Sequence, residues 1–91
     1  MAFVPISIDA YVTKFLAGNP GSERSEVVTR LKEALADFKD GARCSCGAPI
    51  WVIGSAEVGN ACFTCITGEA YPEEDYEIAE ACISKGRLTR R

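Results

Sequence analysis

Cys44-Ser45-Cys46-Gly47 and Cys62-Phe63-Thr64-Cys65 place four thiols in two close pairs, with fifteen residues between the pairs. Thiolates paired in this way are soft donors, and a tetrahedral zinc ion needs four of them at about 2.3 Å. Two pairs on tight turns can supply them once the intervening chain folds back on itself. The C-x-x-C half is a strong pattern. The C-x-C half leaves less room for chelation. Dithiol redox chemistry is the second use of such pairs, since a C-x-x-C dithiol can cycle to a disulfide. A thioredoxin-like redox motif should open a helix after a strand in a βαβ unit. Cys62-Phe63-Thr64-Cys65 instead lies in a segment that reads as β-rich and is flanked by glycine, so metal binding is the expected chemistry. Four buried inert thiols in two tight pairs would be a coincidence. The remaining thiol, Cys82, reads as a small core hydrophobe outside the ligand set.

The chain contains no histidine. This removes the usual general base and every Ser-His or Cys-His dyad. Any zinc must then be held by thiolates. A site closed by Cys44, Cys46, Cys62 and Cys65 leaves no position for water, so it is structural and no enzymatic activity is expected. Ser55, in Ile53-Gly54-Ser55-Ala56-Glu57, lacks the pattern of a nucleophile elbow and reads as a turn residue.

The elements that must position these thiols follow from periodicity. Ile8, Tyr11, Val12, Phe15 and Leu16 form one apolar face and predict a helix from Ser7 to Ala17, capped by Ser7 and stopped by Gly18. Val27, Val28, Leu31, Ala34, Leu35 and Phe38 predict a second helix from Ser25 to Asp40, capped by Ser22 or Ser25 and ended by Gly41. A short link makes the two a helical hairpin. Pro49 to Ile53 is rich in β-formers and predicts a strand; Gly54 to Asn60 predicts a loop; Ala61 to Thr67 predicts a second strand carrying the second thiol pair. Gly47 and Gly68 suit tight metal knuckles. Pro72-Glu73-Glu74-Asp75 resembles a helix start, with Tyr76, Ala79 and Ile83 on the buried face, although Tyr76 and Ile78 also alternate like a strand. Lys85 to Arg91 is a basic tail.

The segment Cys44 to Trp51, followed by Gly59 to Glu69, resembles the zinc-ribbon class. More narrowly, it is similar to small bacterial proteins of unassigned function with a helical N-terminus before a CxCG…CxxC ribbon. The resemblance implies that Cys44, Cys46, Cys62 and Cys65 are zinc ligands, and it carries no activity. The C-x-C first knuckle departs from the commoner ribbon.

The expected fold is therefore α+β: a helical hairpin (residues 1–42) packed on a small zinc-ribbon β-hairpin (43–70), then a short C-terminal helix and basic tail (71–91). The chain has 91 residues, 47% hydrophobic and 25% charged, which suits one folded domain rather than a disordered segment. The apolar helix faces must be buried against the ribbon or a second copy of the chain. Met1-Ala2-Phe3-Val4 carries no basic segment, so no signal peptide is expected, and unpaired thiols point to the cytoplasm.

Charge narrows the partners. Residues 44–84 hold seven acids (Glu57, Glu69, Glu73, Glu74, Asp75, Glu77 and Glu80) and no Lys or Arg, while residues 85–91 hold four bases. A ribbon that grips nucleic acid needs bases near its knuckles. The expected role is a protein-interaction module, with a redox-responsive zinc switch as the alternative and a nucleic-acid accessory role disfavoured. Trp51 is expected to shield the metal from the core side, and Phe63, between two ligands, to offer an exposed apolar contact.

Overall fold

The computed structural model describes residues 3–82. Six elements follow in order: β1 (Val4–Ile6), α1 (Ile8–Gly18), α2 (Arg24–Lys39), α3 (Val52–Val58), α4 (Phe63–Thr67) and β2 (Tyr76–Ile78), and residues 79–82 are helical. The architecture is α+β, with a short helix at the C-terminal side. The basic tail expected at 85–91, and Ile83, lie outside the described residues.

The N-terminal helices form where their apolar periods place them. The Ser7 hydroxyl accepts a hydrogen bond from the Ala10 amide at 3.1 Å and caps α1. At the other end the Asn19 side chain donates to the Phe15 carbonyl at 2.9 Å. Glu23, not Ser22 or Ser25, occupies the N-cap of α2, and its side chain makes no capping bond. Arg24 ties the helices together by donating to Thr13 Oγ1 at 2.8 Å. From α2, Val27, Leu31, Ala34, Leu35 and Phe38 are buried, and from α1 Val12 is. They share one apolar cluster with Ile50, Val52, Ile53, Ile78 and Ala81, so the core spans both halves of the chain. Full burial of one such side chain contributes about 1.5–3 kcal/mol.

Four expectations fail beyond residue 42. The strand expected over 49–53 and the loop over 54–60 are replaced by α3. The strand expected over 61–67 is replaced by α4. The helix expected to start at Pro72 begins at residue 79, after β2. Of the ribbon, the knuckle turns are present, with one antiparallel bridge, Arg43 to Pro49, across the first of them.

Distant partners explain α3 and β2. Glu77, on β2, is 3% exposed. Its carboxylate accepts from the Val52 amide at 2.8 Å and the Ile53 amide at 3.2 Å, which satisfies the first turn of α3. It also accepts from the Ile78 amide at 2.9 Å. β2 pairs in parallel with β1, Val4 opposite Tyr76 and Ile6 opposite Ile78, and Pro5 lies in the middle of β1. The Trp51 indole N–H donates to the Tyr76 carbonyl at 2.9 Å. Position 54, within α3, needs glycine, because a Cβ there would stand 2.5 Å from the Trp51 ring and 2.7 Å from Ile66.

Candidate metal centre

The first thiol pair sits on a closed turn. The Cys44 amide donates to the Ala48 carbonyl and the Gly47 amide to the Cys44 carbonyl, both at 2.8 Å. Gly47 turns the chain with a φ of 98°, a left-handed backbone that glycine adopts without strain. Arg43 covers this turn by donating to the Gly47 carbonyl at 3.1 Å. It is a base at the knuckle, one residue before the stretch that lacks bases.

The second pair opens a helix. Cys62 is the N-cap of α4, and its sulfur accepts from the Cys65 amide at 3.4 Å. Ala61, just before it, is pinned by α3. The Ala61 carbonyl accepts from the Trp51 amide at 2.9 Å and from the Ser55 hydroxyl at 3.1 Å, and the Ala61 amide donates back to Ser55 Oγ at 3.1 Å. Ser55 is thus a buried positioning residue inside α3, not a turn residue. Its place in the site had no local signature, because its partner lies six residues further along the chain.

These supports bring all four thiols together. The sulfurs of Cys44, Cys46, Cys62 and Cys65 lie within 4.8 Å of one another. Cys46 Sγ and Cys62 Sγ are 3.5 Å apart. Four donors at about 2.3 Å from one centre would be separated by roughly 3.8 Å along each tetrahedral edge. The donor set therefore fits a tetrahedral metal ion. The cluster is two-sided: Cys44 and Cys62 are buried, whereas Cys46 and Cys65 are exposed. Cys82 is half-buried and outside the cluster. Its thiol is raised by burial and by the nearby Glu77 charge.

Cys44 and Cys65 are shifted in opposite directions. Amide N–H groups of Cys46 and Cys62 point at the Cys44 sulfur, and with the neighbouring thiols they lower it to about 6. Cys65, held among Cys44, Cys62 and Cys46, is pushed up to about 12. Glu77 carries the largest carboxylate shift, raised to about 7 because burial outweighs its three amide donors.

The surface contact expected at Phe63 is not made. Phe63 is 6% exposed, not an outward tip. It opens α4 and turns inward, with ring centroids 4.9 Å from Trp51 and 5.5 Å from Phe3. Trp51 is half-buried, stacks on Phe3 at 6.0 Å and backs the thiol cluster through Phe63. Both aromatic residues are spent on packing that steadies α3 and α4. Among the described residues no helix is long and apolar enough to cross a membrane. Compared with protein-family models, curated proteins and solved structures, the chain shows no match.

Proposed function

We propose that Cys44, Cys46, Cys62 and Cys65 hold one zinc ion as four thiolates, and that the ion is structural in a small, non-enzymatic, zinc-ribbon-like module that binds another protein in the cytoplasm. The observation that carries this reading is the convergence of four sulfurs from two separate turns within 4.8 Å. All-sulfur tetrahedral donor sets suit zinc or iron–sulfur centres. With four protein donors, zinc supplies cross-linking and fixed negative charge rather than an activated water. The chain's own residues do the rest. Ser55 and Trp51 hold Ala61, Gly47 closes the first turn, and Arg43 offsets part of the thiolate charge.

The partner favoured by charge is a protein with a basic surface. Glu69, Glu73 and Glu74 are exposed, and Arg43 is the base nearest the site along the chain. Elemental analysis of the purified chain tests the metal reading, with about one zinc per chain expected. A Cys82→Ser variant should keep full zinc and a Cys65→Ser variant should lose it. Zinc loss in Cys82→Ser would mean a different ligand set.

A second reading, a redox-responsive thiol protein, gains from one observation. The second pair is expected in a strand, whereas Cys62 caps α4, although the element before α4 is the helix α3 and not a strand.

A further inference from the structure

The two-sidedness of the cluster gives its thiols different chemistry. Cys46 is exposed and Cys62 is buried, yet their sulfurs are 3.5 Å apart, across the two knuckles. Cys65 is also exposed, but it shares a knuckle with Cys62. Cys44 is 5% exposed.

We propose that Cys46 is a modification site for small hydroperoxides, and that its oxidation resolves onto Cys62 as a disulfide joining the two knuckles. The Cys46 thiolate attacks one peroxide oxygen. The O–O bond breaks, sulfur becomes the sulfenic acid, and with one proton the other oxygen leaves as water or an alcohol. The Cys62 thiolate then attacks the Cys46 sulfur. The S–S bond forms, the S–O bond breaks, and the hydroxide departs as water with a second proton. Two thiolates are oxidised by two electrons in total, and one peroxide is reduced. The reaction withdraws two of the four donors proposed for zinc, and to that extent it bears on the same reading. It also encloses α3 between the linked residues, so the knuckle-to-knuckle connection survives loss of the ion.

The test treats the full zinc-loaded chain with equimolar hydrogen peroxide. Free thiols are then blocked by alkylation, and disulfides are mapped by mass spectrometry on digested protein. Zinc is measured before and after with a chelating dye. The expected first product links Cys46 to Cys62, with Cys44, Cys65 and Cys82 alkylated and zinc released in step. Trp51 emission should stay at its folded maximum. Compared as metal-free chains, a Cys46→Ser variant should lose its first thiol several-fold more slowly than the wild type, whereas Cys82→Ser should not. A first disulfide between Cys62 and Cys65 or between Cys44 and Cys46 would overturn the proposal. So would an unchanged rate in Cys46→Ser, or a Trp51 shift to the unfolded value on oxidation. A chain found free of zinc that still links Cys46 to Cys62 would overturn the zinc reading and uphold this one.

Discussion

The two halves of this chain are stabilised by different means. Residues 8–39 form long helices whose apolar faces repeat at helical spacing and meet in a core around Leu31. Residues 43–68 form two short helices and a knuckle, held by side chains that reach across the sequence. Glu77 caps α3, Ser55 clasps Ala61, and Cys62 caps α4. Isolated helices shorter than about 12–15 residues are marginal in water. α3 has seven residues and α4 five, so their form depends on these ties. The difference teaches that the helices of the first half are written in their own apolar period, though they share their core with the second half, which is shaped by its contacts and by whatever joins the thiols.

Metal removal should split the halves most sharply. Zinc binding to small thiolate domains contributes on the order of 10 kcal/mol of folding free energy. A strong chelator should therefore unfold the cysteine half while part of the helical signal from α1 and α2 remains. Circular dichroism at confirmed metal loss, read together with Trp51 fluorescence, checks this; an unchanged melt would break the comparison. On the other side of it, Leu31→Ala should cost about 2–5 kcal/mol by emptying the shared core. Denaturant melts of the zinc-loaded variant should show both halves weakened together.

Glu77 sharpens the comparison through pH. Its carboxyl is raised to about 7 in the folded chain, against an ordinary value of 4.5. The folded state therefore holds a proton that the unfolded state has released across this window. The contribution to stability is full below 4.5, falls as pH rises towards about 7, and is flat above. The shift corresponds to about 3 kcal/mol at most. Subtracting the pH profile of a Glu77→Gln variant from that of the wild type cancels the acid sensitivity of the metal site and should leave this slope. A difference that is flat with pH would remove Glu77 as a titrating tie.

Ser55→Ala should cost about 1–3 kcal/mol, because the Ala61 amide loses its partner in a part-buried site. The same change should weaken zinc retention in a chelator competition, whereas an exposed control such as Ser45→Ala should not. The smallest effect expected concerns charge. Fluorescence polarisation with mixed oligonucleotides at about 150 mM salt, where screening is substantial, should show no appreciable binding. Submicromolar affinity that survives deletion of residues 85–91 would favour the nucleic-acid role.

What could be read from the sequence follows the same division. The ends of α1 and α2 fall within one residue of expectation, because Val12, Leu31 and Phe38 belong to long periodic runs. The four ligand candidates were legible from spacing alone. The intervening fold was not. Val52, Ile53 and Phe63 are β-formers by local preference, and tertiary contacts overrode that preference. Glu77 looked like one of seven surface acids, since nothing within a few residues of it indicates a helix end twenty-five positions earlier. Phe63 looked exposed because its partners, Phe3 and Trp51, come from two other segments. Tyr76 and Ile78 did alternate like a strand, and the parallel pairing with β1 decided for it.

The two-stranded sheet has a consequence for association. Val4 donates towards β2, to the Asp75 carbonyl, so its neighbour Pro5 presents the outer side of β1 and brings no N–H to it. On the far side of β2, the Tyr76 carbonyl is taken by the Trp51 indole and the Ile78 amide by the Glu77 carboxylate. Each margin therefore presents fewer free backbone groups to another strand. Among the described residues, these ties disfavour strand addition at either margin of the sheet.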